Sequence, residues 1–326
     1  MDISSQFEPT LEQINTLSRS LSDEIIKNAG VANHRIQRWL FKIALYPPTR
    51  KFARIAIRFD HMVRYGDFQQ AARDLLDRFV DWIDVKGLEQ VPQSGPLLIA
   101  SNHPGTYDGL SIISSLPRDD LKVVIAGIPF TQELKAAGKH FIYSPPPDQT
   151  HGRMHTLRSS VRHLEAGGSL LLFPTGRVDP DPALVPGAEQ ALDNWSRSLE
   201  ILFRKVPDTQ VMLAMVSGVI TPSSIKHPLT KILRNIENYK TAQFVQITGQ
   251  LFSPDRNRPV PQISFGSPFL AGQLMEGLSG GKSNFDAMES LTILQALIER
   301  ARERFFEHLE EFGLAPTDSW NQLATQ

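Results

Sequence analysis

The sequence predicts an α/β fold, a mixed β-sheet flanked by helices and preceded by an N-terminal helical segment. Three observations carry this expectation. Residues 8 to 80 repeat apolar side chains at three- and four-residue spacing, the period of a helix. Beyond Val85, short apolar runs alternate with helical stretches, as strands and their connections do. The chain has 326 residues, 41% of them hydrophobic, enough to bury one large core or a core with a smaller helical unit.

The elements follow in order. Leu11 to Asn28 reads as the first helix. From Arg35 to Tyr46, Ile36, Trp39, Leu40 and Ile43 share one side and Arg35, Arg38 and Lys42 another, and Pro47-Pro48 is expected to break this helix. From Arg50 to Tyr65, an apolar stripe of Phe52, Ile55, Ala56, Phe59, Met62 and Val63 stands opposite Arg50, Lys51, Arg54, Arg58 and His61. Asp67 to Trp82 completes the helical segment, which the pattern ends near residue 80. Apolar runs then mark Leu97 to Ser101, Lys122 to Gly127, Phe141 to Tyr143, Leu170 to Phe173, Val211 to Val219, Phe244 to Phe252 and Ile263 to Phe265. A helix from Gly109 to Leu116 follows the first of these runs. A Gly- and Ser-rich linker from Leu270 to Asn284 leads into a closing helix from Phe285 to Phe312.

Composition excludes several classes. With no cysteine, disulfides, thiolate zinc sites and a cysteine nucleophile are ruled out. No basic region followed by an apolar core opens the chain, and no eighteen apolar residues run without a charge, so neither a secretory signal nor a membrane span is expected. A cytoplasmic protein, free or peripheral on a membrane, fits best. Histidines and acids show no metal-ligand spacing, so no metal and no cofactor is assigned. Net charge is −1 and gives no pointer to nucleic acid. Charge is unevenly spread, however. Between Arg35 and Arg64 there are eight Lys or Arg against Asp60 alone, an excess of +7, which leaves −8 for the rest of the chain. Arg38, Trp39, Lys42, Arg50, Lys51, Arg54 and Arg58 could therefore lie in the headgroup region of an anionic bilayer or dock an acidic carrier protein. An ordinary helical pair with a solvated basic face reads equally well.

The chemistry concentrates in Leu97-Leu98-Ile99-Ala100-Ser101-Asn102-His103-Pro104-Gly105-Thr106-Tyr107-Asp108. A neutral imidazole can take the proton of an attacking alcohol, and a carboxylate on its far nitrogen would fix the tautomer and stabilise the imidazolium. His103 and Asp108 suit these roles, because the Pro-Gly turn reverses the chain and Asp108 heads the following helix. By itself the spacing also describes a turn histidine followed by a capping aspartate.

This segment resembles the active-site strand of the glycerolipid acyltransferases, and further motifs come in that family's order over roughly residues 80 to 270. Gly168 to Arg177 resembles the block written Phe-Pro-Glu-Gly followed by Thr or Ser and Arg, with Thr175 where the Glu is expected. Lys122 to Gly127 with Phe141-Ile142-Tyr143-Ser144, and Val211 to Ile220 with Thr221-Pro222, resemble the remaining blocks. Ser144 stands where membrane-bound bacterial members carry a phosphate-gripping arginine. Tyr143-Ser144 and Pro174-Thr175-Gly176-Arg177-Val178-Asp179-Pro180-Asp181-Pro182 are nearer to the soluble glycerol-3-phosphate acyltransferases of plastids, although Pro145-Pro146-Pro147 replaces their basic residues.

The resemblance implies an acyltransferase domain over residues 81 to 326 after the helical segment of residues 1 to 80. It implies transfer of a fatty acyl group from acyl carrier protein or coenzyme A to glycerol-3-phosphate or lysophosphatidate. His103 would be the general base and Asp108 its orienter. Asn102, Gly105, Thr175, Gly176, Arg177, Lys139, His140 and Arg153 would contact substrate, with backbone amides near Gly105 or Gly176 for the thioester oxygen and Arg177 first for the phosphate. An acceptor without phosphate, or a non-catalytic lipid- or carrier-binding relative, are the alternatives. Two other motifs fail in context. Gly277-Leu278-Ser279-Gly280-Gly281 lacks the strand that a nucleophile elbow needs, and Gly280-Gly281-Lys282-Ser283 lacks both strand and first glycine of a phosphate loop.

Overall fold

The computed structural model describes residues 7–28, 35–145, 152–232, 238–276 and 287–315. Pro146, Pro147 and both glycine-rich motifs between 277 and 283 lie outside the described residues. The helical segment consists of α1 (Leu11–Asn28), α2 (Arg35–Tyr65) and α3 (Phe68–Leu76). α1 starts on a reciprocal cap in which the Thr10 amide donates to Gln13 Oε1 at 2.9 Å and the Gln13 amide to Thr10 Oγ1 at 3.3 Å. Asp67 caps α3 by accepting from the Gln69 amide at 2.7 Å.

Pro47 and Pro48 do not break the second helix, which runs through them as one element. Two prolines delete two backbone donors, so the turn needs support from outside the helix. Thr49 supplies it: its hydroxyl reaches the Leu45 carbonyl at 2.7 Å and meets Ser18 Oγ at 2.8 Å and Ser22 Oγ at 3.1 Å on α1, all three residues being buried. Tertiary packing here outweighs a local breaker.

Among the described residues eight strands form one sheet: β1 (Asp84–Lys86), β2 (Leu97–Ser101), β3 (Lys122–Ala126), β4 (Phe141–Ser144), β5 (Ser169–Leu172), β6 (Gln210–Ser217), β7 (Gln262–Phe265) and β8 (Phe269–Leu270). The order is β1-β7-β6-β2-β5-β3-β4, with β8 beside β6. β6, β2, β5, β3 and β4 are parallel, whereas β7 and β8 run against β6, so the sheet is mixed. β2 is buried at every position because both faces are covered. Its alternation assigns the faces. Leu97 and Ile99 join Ile14, Ala53, Phe59 and Phe68 of the helical segment in one core, while Leu98 and Ala100 join Leu202, Phe203, Leu297 and Ala301 in the other. The N-terminal helices therefore share a core with the sheet. α4 (Asp108–Ser115) covers the first face, and Ala287–Glu311 closes the second.

Two further elements differ from the sequence reading. Phe244 to Phe252 is not a strand but the C-terminal part of a helix, Asn238–Phe252. Its β-branched run suggested a strand, yet Gln243, Gln246 and Gln250 fall at helical spacing and carry the contacts described below. Trp82 does not end a helix. α3 stops at Leu76, and β1 pairs with β7 along the sheet edge, Asp84 to Gln262 and Lys86 to Ser264.

Candidate functional site

β2 delivers Asn102 and His103 to the C-terminal edge of the parallel strands, where ligands of open α/β sheets collect. Asn102 is consumed structurally: its amide nitrogen donates to the Val216 carbonyl at 2.9 Å and its oxygen accepts from the Val216 amide at 2.8 Å, fixing β2 to β6. The chain then turns at Pro104-Gly105. His103 Nδ1 and Asp108 Oδ2 are 2.8 Å apart, with the imidazole 27% exposed and the carboxylate 1%. The Gly105 amide donates to the same oxygen at 2.9 Å, and the Gly109 amide donates to Asp108 Oδ1.

Three groups thus converge on one carboxylate at the centre of the turn. With Nδ1–H directed at Asp108, Nε2 is the basic nitrogen, and no hydrogen bond occupies it among the described residues. Phe173 stacks on the ring at 4.3 Å between centroids, a contact that also favours the imidazolium. Burial works against the charged ring, but the charge and hydrogen bond of Asp108, with the charge of Asp179, outweigh it and raise the His103 pKa above the ordinary histidine value.

The loop after β5 runs beside this turn. Gly176 takes a left-handed conformation, φ +64°, in a tight turn closed by its amide on the Phe173 carbonyl at 3.0 Å. Thr175 turns its hydroxyl back to the Arg177 carbonyl at 2.9 Å and to Asp179 Oδ2 at 3.2 Å. Arg177 is exposed. The amides of Gly105 and Gly176 are therefore both engaged within the fold. The sequence places Asp179 and Asp181 in the segment similar to the plastid enzymes but assigns neither a role. His103 donates its amide to Asp179 Oδ2 at 2.9 Å, and the Asp179 amide returns a bond to the His103 carbonyl at 2.7 Å. Asp181, fully buried, accepts from the amides of Ala183, Gly218, Val219 and Ile220 at 2.9 to 3.2 Å.

The helix Asn238–Phe252 holds the other side. Gln243 donates to the Pro104 carbonyl at 2.8 Å and accepts from the Thr106 hydroxyl at 3.3 Å, and a Cβ on Gly105 would come within 2.7 Å of its amide. Gln246 bridges the Val219 carbonyl and the Thr221 amide, and Gln250 binds the carbonyls of Phe79 and Asn257. Three glutamines at positions i, i+3 and i+7 were the available signal, since this spacing aligns one polar face of a helix.

Other expected contacts are dispersed. Lys139 and His140 precede β4, and Phe141 is level with Ile99 through Val123 and Leu171. His140 is thus level with Leu98, five residues before His103, a rise of about 16 Å along the strands. Its ring packs on Phe68, 4.3 Å between centroids. The structure does not bring these two residues to His103. Arg153 opens the helix Arg153–Glu165 past the C-terminal end of β4.

On α2, Arg38 and Lys42 pair with Asp23 at 3.3 and 3.0 Å, and Arg58 pairs with Glu8. Arg50 bonds Asn15 and Tyr46, Lys51 bonds the Leu251 carbonyl and covers the Phe252 ring, and Arg54 is exposed. Ile36, Trp39, Leu40 and Ile43 turn outward, 53% to 76% exposed, while Ala56, Phe59 and Val63 are buried. Among the described residues no cluster of histidines and acids could hold a metal, and no helix is long and apolar enough to cross a membrane.

A family model described as Acyltransferase matches residues 82–209, the span that carries β2 to β5 with His103, Asp108 and Asp179. No curated protein matches the chain. Among solved structures, the chain is similar to the 1-acyl-sn-glycerophosphate (LPA) acyltransferase, PlsC, from Thermotoga maritima, at 13% identity, with 90% of this chain and 98% of that chain covered and a TM-score of 0.36.

Proposed function

From the match of residues 82–209 to the acyltransferase family model, we propose that the chain moves a fatty acyl group from a thioester, on acyl carrier protein or coenzyme A, to a hydroxyl of glycerol-3-phosphate or lysophosphatidate. The observation that carries the reading is His103, tied at Nδ1 to Asp108 at 2.8 Å and, among the described residues, unpartnered at Nε2. His103 Nε2 takes the proton of the acceptor hydroxyl as its oxygen attacks the thioester carbon. The tetrahedral adduct collapses with cleavage of the carbon–sulfur bond, and the imidazolium returns the proton to the departing thiolate. Asp108 keeps the tautomer and stabilises the charged ring. No covalent enzyme intermediate is required.

Arg177, exposed two residues before Asp179, is the proposed phosphate ligand, since a guanidinium can grip phosphate through two donors. Arg153 is the second candidate. The distance of Lys139 and His140 from the catalytic turn favours an acceptor that needs few cations, so a neutral alcohol is the alternative acceptor.

Residues 81 to 326 are proposed as the catalytic domain and residues 1 to 80 as its surface-contacting segment. The outward stripe of Ile36, Trp39, Leu40 and Ile43, bordered by Arg35, Arg38, Lys42 and Arg50, suits the headgroup region of an anionic bilayer. Trp39 then belongs at the apolar boundary. Asp23 already neutralises part of the charge of Arg38 and Lys42, so apolar insertion carries more of this contact than the basic count suggests.

The deciding experiment is transfer from a radiolabelled long-chain thioester to glycerol-3-phosphate, lysophosphatidate and unphosphorylated glycerol analogues. Native protein, His103→Ala and Arg177→Ala are compared. Transfer to a phosphorylated acceptor that falls on the order of a hundredfold to ten-thousandfold in His103→Ala, with a raised acceptor KM in Arg177→Ala, supports the reading. Activity on neutral acceptors alone selects the alternative, and no transfer to any acceptor defeats both.

A further inference from the structure

Asp179 occupies an unusual position for a carboxylate. It is 2% exposed, and one oxygen, Oδ2, receives both the His103 amide and the Thr175 hydroxyl. The other oxygen, Oδ1, is buried without a partner among the described residues. The return bond from the Asp179 amide to the His103 carbonyl closes a two-way clamp on the backbone of the catalytic histidine. Such a clamp needs a single acceptor oxygen. A second, unpartnered carboxylate oxygen adds nothing to it and carries the cost of burying a charge, so support of the backbone does not account for the acid.

The surroundings of the imidazole do account for it. The start of α4 presents Asp108 to the ring, the loop after β5 holds the Asp179 carboxylate against the His103 amide beside it, and Phe173 covers the ring. The helix Asn238–Phe252 contributes Gln243 to the turn and Tyr239, whose hydroxyl donates to the Val178 carbonyl. The cations on the same loop and helix are Arg177 and Lys240.

We propose that Asp179 is a positioning residue for His103, which holds the histidine backbone with one carboxylate oxygen and presents its charge to the imidazolium formed when His103 takes a proton. The inference rests on the acyl-transfer reading for its use in catalysis. Its geometry stands independently of the substrate. In agreement, Asp179 is among the groups that raise the His103 pKa. Burial pushes the Asp179 carboxyl itself upward, against the lowering by the His103 amide, the Thr175 hydroxyl and the imidazolium charge.

The test is the titration of His103, followed by imidazole NMR in the full chain labelled at histidine, with His103→Gln identifying the resonance. Asp179→Asn keeps an oxygen for the His103 amide and removes the charge. The His103 midpoint is expected to fall by about 0.5 to 1 pH unit, and the acid limb of kcat/KM to move down with it while acceptor KM stays within about twofold. Thr175→Val removes a hydrogen bond but leaves the charge, so its His103 midpoint must stay at or above that of the native protein. An unchanged midpoint in folded Asp179→Asn overturns the proposal, as does an equal fall in Thr175→Val. Failure of Asp179→Asn to fold also overturns it, because the acceptor the backbone needs is retained. If the native protein transfers no acyl group, the acyl-transfer reading fails while the NMR midpoint still decides the role of Asp179.

Discussion

At the scale of residues, the proposed pair of His103 and Asp108 makes a signed prediction about pH. A general base works unprotonated, and the His103 pKa is raised by Asp108 and Asp179 against burial. Activity should therefore decline as pH falls through a midpoint above the ordinary histidine value, and pH profiles of kcat/KM should place that limb. The same shift favours the folded state at low pH: its contribution is complete below the unfolded histidine value and is lost as pH rises through the folded one. Asp108→Asn should lower kcat on the order of a hundredfold to ten-thousandfold with little change in KM, and steady-state kinetics checks it. The pair could be read in the sequence because five residues and a Pro-Gly turn bring His103 to Asp108. Asp179 could not, because its partner is 76 residues away and only the strand order β2-β5 makes them neighbours. The Pro-flanked Asp179 and Asp181 were visible as letters but their tasks were not.

At the scale of elements, two helices contradict their local sequence for an identifiable reason. α2 passes Pro47-Pro48 because Ser18 and Ser22 of α1 meet Thr49. Thr49→Val should strand these buried hydroxyls and cost about 1–3 kcal/mol, read from the urea midpoint. Within the helix Asn238–Phe252, the apolar, β-branched run from Phe244 to Phe252 satisfies either period, and only the glutamine spacing distinguishes them. Gln243→Ala should leave the Pro104 carbonyl and Thr106 hydroxyl without their partner. The expected result is a loss of about 1–3 kcal/mol of stability together with a lower kcat, measured by denaturation and by turnover. The sheet strands were easier. β2 and β6 lie between two covered faces and read as continuous apolar runs, whereas the three-residue β1, Asp84–Lys86, carries no such run to mark it.

At the scale of the whole molecule, the closing helix Ala287–Glu311 is pinned to the sheet by a buried histidine. His308 Nδ1 meets Ser264 Oγ of β7 at 2.7 Å, and Nε2 meets Ser217 Oγ of β6 at 2.8 Å. Burial, with the charges of Arg304 and Lys86, lowers its pKa to about 3. The unfolded chain binds a proton here below about pH 6.5 and the folded chain does not, so stability should decline as pH drops from there toward 3. The slope is at most about 1.4 kcal/mol per pH unit. Urea midpoints of the native protein and His308→Gln between pH 7 and 4 should converge at the acid end, and a parallel course would count against the pin.

The loop from β5 crosses the end of β2 and reaches β6, fastening His103 through Asp179 and Gly218 to Ile220 through Asp181. Three strand ends are thereby stitched by one strap. Amide protons of His103 and of Gly218, Val219 and Ile220, far apart in the chain, should exchange with solvent together, as a single opening unit rather than as separate loops.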